Sequence, residues 1–181
     1  MYKRLCGLLV IMLLAGSVAY YNYSNRENLY DAMIQASSRR HGVEFELIKA
    51  VIKKESNFHA NQRGAAGEYG LMQIMPIAAD EWARLSKRAE FKNYALLKDP
   101  EINIDVGTYL LSINLKRWDQ YKNAEALALA EYNAGLKTVR TNNWVPKTYD
   151  GEVIKLITFP GTQSYVSRIL KYKNNYLDSS K

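Results

Sequence analysis

The sequence predicts an all-α domain of several helices with at most a small β-hairpin. Apolar residues recur every three or four positions through most of the chain after residue 26, which is typical of helices that bury one face. No segment alternates apolar and polar residues for long enough to demand a strand. Gly64, Gly67 and Gly70 interrupt the helical pattern in the loop of residues 57–70, and a hairpin is expected only there.

Two helices are predicted before the glycine-rich loop. The first covers residues 27–40 and stops at His41 and Gly42, because glycine is the usual residue just beyond a helix end. The second covers residues 44–55. Lys49 is expected to lie off its apolar stripe.

Four more helices are predicted after the loop, each with its own start or stop signal. They are residues 76–85 opened by Pro76, a helix begun by Asp99 and Pro100, residues 124–134 stopped by Gly135, and a final helix from Thr162 to about residue 176. Proline suits the first turn of a helix, Asp and Thr cap its start, and glycine ends it. The tail of residues 178–181 is expected to fray.

The first 19 residues have the pattern of a signal peptide. Lys3 and Arg4 give a positive start, residues 5–15 form an apolar run, and Ala19 ends a stretch of small residues that suits a signal peptidase. We expect cleavage after Ala19, export to the periplasm or cell envelope, and a single mature domain of residues 20–181. Retention of the segment as an uncleaved membrane anchor is the alternative.

Charge and cysteine content narrow the class of protein. The net charge of +7 falls to about +5 once Lys3 and Arg4 are removed, which suits an acidic envelope polymer or a membrane surface. The basic residues are scattered, so a nucleic-acid partner is not expected. Cys6 is the only cysteine, and it precedes the apolar run. With only His41 and His59 besides, neither cysteine catalysis, a metal site nor a cofactor is predicted.

Glu55 is the carboxylate whose position is most unusual. It lies three, four and seven residues beyond Ile52, Val51 and Ile48, so it falls on the apolar face of the second helix. Loss of solvation on that face would raise its pKa, as a proton donor near neutral pH requires. The alternative is that Glu55 emerges into water at the helix end and pairs with a lysine.

The residues after Glu55 carry a resemblance. Ser56 follows directly, residues 64–76 read GAAGEYGLMQIMP, and residues 130–135 read AEYNAG. This combination, over roughly residues 31–176, resembles the soluble lytic transglycosylase family, whose catalytic domain has a goose-type lysozyme-like fold. The resemblance therefore implies a lysozyme-like multi-helix domain.

The resemblance also implies an activity and roles for residues. The family cleaves the bond between N-acetylmuramic acid and N-acetylglucosamine in peptidoglycan and leaves a 1,6-anhydro ring. Glu55 would be the single catalytic acid/base. The other implied site residues are Gln73, Met75, Tyr132 and Asn133 in the sugar groove, with Ser56, Gly70 and Tyr165 in support. The expected partners are peptidoglycan glycan strands and, as a further hypothesis, an envelope-spanning secretion or conjugation apparatus.

The chemistry follows from the residue types. A protonated Glu55 would donate to the glycosidic oxygen as the sugar gains oxocarbenium character. The motif offers no second carboxylate, so the substrate's own N-acetyl oxygen would serve as nucleophile. The ionised Glu55 would then remove the proton of the sugar's 6-hydroxyl, which closes the anhydro ring. The Tyr132 hydroxyl is expected to orient Glu55 or the N-acetyl group.

Three positions depart from the family pattern. Gly64 replaces a serine, Gly161 replaces a glutamate, and Ala78 replaces a threonine. The first two remove polar groups expected near the catalytic centre, so they bear on how Glu55 is oriented. Glu68 and Glu131 lie near the motifs but are expected to be solvated surface acids.

Two other functions remain open from the sequence. A lysozyme-like hydrolase would share the fold and the glutamate, but no aspartate lies between Asp31 and Asp80 to place a water. A peptidoglycan-binding assembly component without activity is the other alternative. Trp144 lies in an irregular stretch, where it would either stack on sugar or pack a loop down.

Overall fold

The computed structural model describes residues 14, 16–18, 25–85 and 94–179. The predicted signal peptide or anchor of residues 1–19 lies outside them, apart from residues 14 and 16–18. Across the described ranges, no helix is both long and apolar enough to cross a membrane.

The described chain is helical, as predicted, and its longer elements are joined by irregular loops. The helices are α1 (Asp31–His41), α2 (Phe45–Ser56), α3 (Pro76–Leu85), α4 (Pro100–Arg117), α5 (Ala124–Ala134), α6 (Leu136–Thr141) and α7 (Pro160–Ser179). Three short 3-10 turns lie at Arg26–Asn28, Tyr94–Lys98 and Ile154–Leu156.

Local capping signals place several helix ends where they were expected. The Asp99 carboxylate accepts hydrogen bonds from the backbone N–H groups of Glu101 (2.9 Å) and Ile102 (3.2 Å), so it caps α4. Gly135 follows α5 at a φ of 82°, a conformation that glycine adopts without strain.

Helix ends that depend on contacts elsewhere in the fold differ from the prediction. The segment predicted as residues 27–40 is split, and α1 begins only at Asp31, because Leu29 is 68% exposed and has no core to face. The last helix begins at Pro160, so Thr162 does not cap it. Asp178 and Ser179 are helical rather than frayed. The six residues of α6 are too few to give a periodic pattern.

Helix α2 lies at the centre of the core. Leu47, Ile48, Val51 and Ile52 are buried on it, and its most extensive packing is against α7. Helix α5 packs against both α4 and α7. Tyr132 from α5 and Tyr165 from α7 lie close to Glu55 at the end of α2. Burial of this kind removes apolar side chains from water and supplies most of the stability of such a domain.

Lys49 was expected to lie off the apolar stripe, but it is buried at 6% exposure. Its ammonium group donates to the Asp31 carboxylate at 2.7 Å and to the Asn28 side-chain oxygen at 2.9 Å. A buried lysine requires such partners, because an unpaired charge away from water is costly. The pair ties α2 to the start of α1.

The glycine-rich loop forms no strand within its described residues. Two isolated bridges, Arg63 with Tyr69 and Tyr69 with Ile74, take the place of the expected hairpin. The buried Asn103 side chain holds the loop: it donates to the carbonyls of Tyr69 and Leu97 and accepts from the Met72 N–H, each at 2.8 Å. Residues 64–76, which carry the sequence motif, are called the motif loop from here on. Asn103 fixes this loop onto α4.

Gly70 shows why this loop needs glycine. Its φ is 77°, and an added Cβ would lie 2.7 Å from the Leu97 carbonyl oxygen and against the Asn103 amide. Any other residue would be strained by its backbone conformation and would also clash. The predicted supporting role of Gly70 thus corresponds to a close approach between the motif loop and the residues before α4.

Candidate active site

Glu55 lies in the last turn of α2, where the helix ends abruptly. The next residues, Asn57 and Phe58, both have positive φ (49° and 61°), which turns the chain away from the helix axis. Phe58 is buried, and its packing holds this strained turn in place. The Ser56 hydroxyl donates to the Ile52 carbonyl at 3.2 Å, so Ser56 supports the helix end and is not placed as a nucleophile.

Burial raises the pKa of Glu55 from 4.5 to about 7. Two neighbours act in the opposite direction: a hydrogen bond from Tyr165 and the charge of Lys54 both favour the ionised form. The charge of Glu68 adds to the increase. A carboxyl group with this pKa is partly protonated at neutral pH and can both give and take a proton there.

Tyr165 orients the Glu55 side chain. Its hydroxyl donates to Glu55 Oε1 at 2.6 Å, and its ring is buried between α7 and α2. Burial and the nearby Glu55 charge raise the Tyr165 pKa well above its usual value, so the hydroxyl keeps its proton. The Lys54 ammonium group lies 5.1 Å from the centre of the same ring.

Tyr132, on α5, does not make a hydrogen bond to Glu55, which was one of its two expected roles. Its hydroxyl donates to the Met72 carbonyl at 3.0 Å, which ties α5 to the motif loop. Burial and the Glu55 charge raise its pKa well above the usual value, so Tyr132 also stays neutral beside the site. The orienting hydrogen bond expected of Tyr132 is made by Tyr165.

Gln73, Met75 and Tyr132 line a cavity of about 350 Å³ between the motif loop and helices α3, α4 and α5. Gln73 has a φ of 48°, and its amide donates to the carbonyls of Gly70 (2.8 Å) and Gln62 (3.3 Å). Met75 is 36% exposed and offers an apolar wall. Three of the four predicted groove residues are thus brought together, whereas Glu55 and Asn133 do not line this cavity.

Asn133 lies at the end of α5, where it is exposed and meets α7. Its side-chain oxygen accepts a 2.8 Å hydrogen bond from the Thr162 hydroxyl, which explains why Thr162 is not a helix cap. The contact joins the YNAG motif to the first turn of α7, from which Tyr165 reaches Glu55. The Asn133 side chain therefore has a positioning contact as well as an exposed face.

Glu131 was expected to be a solvated surface acid, and this is wrong. It is 7% exposed and accepts hydrogen bonds from the Trp118 indole (2.7 Å) and from the Arg117 guanidinium (3.1 Å). Both Glu131 and Arg117 line the cavity beside Tyr132. The available sequence signal was the alanine-rich run of residues 126–130, which indicates a helix buried on most sides.

Glu68 is not fully solvated either, because it is half-buried in the glycine-rich loop. Its carboxylate accepts a 3.0 Å hydrogen bond from the Ala66 N–H and folds back over Gly64. Trp144 is fully buried, donates to the Thr158 hydroxyl at 3.0 Å and packs edge-on against Phe159. Of the two roles considered for Trp144, packing of a loop is the one observed.

In the described part of the chain, no group of three or more His, Cys, Asp or Glu side chains is arranged to hold a metal ion. The titratable groups that surround Glu55 are tyrosines, one lysine and one glutamate. The arrangement is that of a half-buried carboxyl group with neutral hydroxyl neighbours, which is suited to general acid/base chemistry.

Comparison with known proteins identifies the family. Residues 32–156 match the family model of the transglycosylase SLT domain, so the chain belongs to that family. It is 28% identical over 149 residues to the soluble lytic murein transglycosylase of Salmonella typhimurium, and 31% identical over 129 residues to that of Escherichia coli K12. These alignments cover 81% and 70% of this chain but only 23% and 20% of the relatives.

A solved structure shows the same fold. An inactive mutant of the lytic transglycosylase Slt from Pseudomonas aeruginosa superposes with a TM-score of 0.73 at 28% identity. The match covers 83% of this chain and 24% of the other. The predicted all-α, lysozyme-like fold is therefore confirmed, and the chain spans about a quarter of the length of the relatives it matches.

Proposed function

We propose that this protein is a peptidoglycan lytic transglycosylase in which Glu55 is the single acid/base. The observation that carries the proposal is the half-buried Glu55 carboxyl, whose pKa is raised to about 7 by loss of solvation and whose Oε1 accepts a hydrogen bond from Tyr165. The family membership and the lytic murein transglycosylases among its relatives support the choice of substrate.

The first step is acid catalysis. Tyr165 occupies Oε1, which leaves Oε2 to carry the proton toward the substrate. That proton passes to the oxygen of the leaving N-acetylglucosamine as the bond to C1 of N-acetylmuramic acid breaks. The N-acetyl oxygen of the same sugar bonds to C1 and spreads the positive charge into an oxazolinium ring, in the manner of substrate-assisted glycosidases.

The second step uses the same carboxyl group as a base. The ionised Glu55 takes the proton of the 6-hydroxyl, and O6 attacks C1 as the bond from the N-acetyl oxygen breaks. The product is the 1,6-anhydro sugar, Glu55 is protonated again, and no water is consumed. A pKa near 7 suits both steps, because neither protonation state is strongly disfavoured at neutral pH.

Substrate binding is assigned to Gln73, Met75, Tyr132 and Asn133. Gln73 and Asn133 offer amide groups to sugar hydroxyls and N-acetyl groups, and Met75 offers an apolar face. Ser56, Gly70 and Tyr165 act in support through the contacts described above. We assign this activity to residues 20–181 as one catalytic domain that works in the periplasm or cell envelope after the export predicted from residues 1–19.

Digestion of purified peptidoglycan tests the proposal. The wild-type protein, Glu55→Gln and the matched control Glu101→Gln, an exposed acid in the first turn of α4, are incubated with it, and the released muropeptides are weighed. Anhydro products from wild type and control, reduced at least about 100-fold in Glu55→Gln, are expected. Products heavier by one water would instead identify a hydrolase, and binding without cleavage would identify an assembly component.

Recruitment by an envelope-spanning secretion or conjugation apparatus is a separate hypothesis. The glycan strands are the partner that the site itself supports, because Tyr132 both lines the cavity and lies close enough to Glu55 to respond to its charge. Cross-linking in the native envelope, with residues 1–19 intact, would show whether such an apparatus lies within reach.

A further inference from the structure

The feature that the mechanism above does not use is an ion pair on the wall of the cavity. Arg117, at the end of α4, and Glu131, on α5, line the same space of about 350 Å³ as Tyr132. A cavity of this volume lies within the range of small-ligand sites, about 300–1,000 Å³. The sugar hydroxyls and N-acetyl groups assigned to this groove are uncharged, so they do not account for a pair of charged side chains there.

Glu131 is an internal anchor and not a ligand-binding group. Its Oε1 accepts from Arg117 Nε at 3.1 Å, and its Oε2 accepts from the Trp118 indole at 2.7 Å, so both oxygens are engaged. The residue is also buried, which leaves it little surface for a ligand. A buried carboxylate requires such partners. Its effect on the cavity is to fix the orientation of the Arg117 guanidinium.

Arg117 retains hydrogen-bond donors that face the cavity. A guanidinium has five N–H groups, and in the described part of the chain only Nε–H is engaged, by Glu131. The side chain is 34% exposed and lines the cavity. The Nη1 and Nη2 groups form a planar fork that matches the two oxygens of a carboxylate, and such charge-assisted pairs are among the strong hydrogen bonds of proteins.

The third charged residue that lines this cavity is Glu81 on α3. Glu81 is exposed, so water and salt screen its charge, and its sign does not suit an anion. Glu131 is already paired. Arg117 is therefore the group in this lining that can bind an anionic ligand. In peptidoglycan, carboxylates belong to the lactyl group of N-acetylmuramic acid and to the short peptides attached to it.

We propose that Arg117, oriented by Glu131, is a specificity-determining residue that binds a carboxylate on the side chain of N-acetylmuramic acid. This proposal rests on the proposed peptidoglycan substrate and deepens it, because it names the chemical group that the cavity selects. A free lactyl group and an attached peptide offer the same carboxylate chemistry. Glu131 is a positioning residue, since it acts through Arg117.

Binding without turnover is the first test. Soluble glycan strands that carry their peptides are used in the native form and with all carboxylates converted to amides, and calorimetry gives Kd in the Glu55→Gln background. Native strands should bind at least about fivefold more tightly than amidated ones. Adding Arg117→Ala should remove this preference by weakening only the native complex. A preference that persists in Arg117→Ala, or that is absent before it, would overturn the proposal.

Two further arms sharpen this experiment. Arg39→Ala removes an exposed arginine on α1 that does not line the cavity, so it controls for net charge and should keep the preference. Strands stripped of their peptides by an amidase expose the lactyl carboxylate. A preference for the stripped strands over their amidated form would assign the carboxylate to the lactyl group, and its absence there would assign it to the peptide.

The second test is kinetic. Arg117→Ala should raise KM on native strands about tenfold and leave kcat within about twofold, because the contact is the same in the ground and transition states. Arg117→Lys keeps the charge without the planar fork, so its KM should be intermediate. A pair that served only stability would change the rates on native and amidated strands alike, which would contradict the proposal. Thermal unfolding of each variant measures the loss of folded protein.

The two proposals fail in different ways. Strand binding with the carboxylate preference, but without anhydro products from the wild type, would remove the transglycosylase activity and leave the role of Arg117. Anhydro products without any difference between native and amidated strands would remove only the role of Arg117.

Discussion

The Tyr165 hydroxyl donates a 2.6 Å hydrogen bond to Glu55 Oε1 and so joins two residues that are 110 positions apart in the chain. One lies in the last turn of α2 and the other in the second turn of α7, and the packing of these two helices is the most extensive in the described fold. The position of the Glu55 carboxyl group is therefore set by the same interface that builds the core.

Removing this hydroxyl should change both rate and pH dependence. Tyr165→Phe leaves Glu55 without its orienting donor, and a rate about tenfold lower at pH 6 is expected. The hydrogen bond lowers the pKa of Glu55, so its loss raises that pKa. The fall in activity at alkaline pH, where Glu55 loses the proton it must donate, should therefore move to higher pH. Tyr149→Phe, at a tyrosine that is 61% exposed, is the control. A fall in activity that began at lower pH than in the wild type would contradict the role assigned to the Tyr165 hydroxyl.

The buried Glu55 should reduce stability at high pH. Its folded-state pKa is raised from 4.5 to about 7, so its favourable contribution is complete below pH 4.5 and is lost as the pH rises through 7. The shift corresponds to roughly 3 kcal/mol. Glu55→Gln has no such titration, so it should unfold at higher urea concentration than wild type at pH 8. The urea midpoints of the two proteins should coincide near pH 4. An equal difference between the midpoints at pH 4 and pH 8 would contradict the expectation.

Gly161 should be replaceable with a gain in stability. It lies in the first turn of α7, and a Cβ there would meet no atom within 4 Å. Gly161→Ala should raise the free energy of unfolding by about 0.5–1 kcal/mol, because alanine loses less backbone entropy than glycine in a helix. Gly135→Ala, at a φ of 82°, is the matched control and should destabilise the protein. Thermal melts of both variants give the comparison.

Asn103 should be required for the motif loop. Asn103→Ala removes the hydrogen bonds to the Met72 N–H and to the Leu97 and Tyr69 carbonyls, of which the Tyr69 carbonyl still accepts from the Ile74 N–H. The loss should cost about 2–4 kcal/mol in unfolding free energy. Activity should fall in the same variant, because Met72 precedes Gln73 in the groove. The comparison is Asn114→Ala, whose side chain makes one weak 3.4 Å hydrogen bond. Equal stabilities of the two variants in urea would show that the loop is held by other contacts.

Local signals in the sequence predicted the elements that depend on local chemistry. Three signals act within one turn of their own helix: the Asp99 cap, Pro76 at the start of α3 and Gly135 after α5. The neighbouring residues in the chain are therefore enough to predict these helix ends. The position of Glu55 at the end of the apolar stripe of α2 was likewise predicted from neighbouring residues in the chain. Burial and the raised pKa of Glu55 follow from a helical repeat that is visible in the sequence.

Interactions between distant segments account for what the sequence did not reveal. Thr162 has the composition of a cap, but its hydroxyl donates to Asn133 on another helix. Glu131 is buried with hydrogen bonds from Trp118 and Arg117 at the end of α4. The alanine-rich run before Glu131 indicates a buried helix, but the sequence does not show which side chains of another element meet the carboxylate.

The location of Tyr165 on the last helix has a consequence for the timing of activity. A partly emerged chain that lacks α7 has Glu55 but not the Tyr165 hydroxyl, and it lacks the helix that packs most extensively against α2. The hydrogen bond between Tyr165 and Glu55 therefore forms only when the 20-residue helix α7 docks onto α2. Since α7 follows every other described helix in the chain, the carboxyl group proposed as the acid/base is oriented last during synthesis.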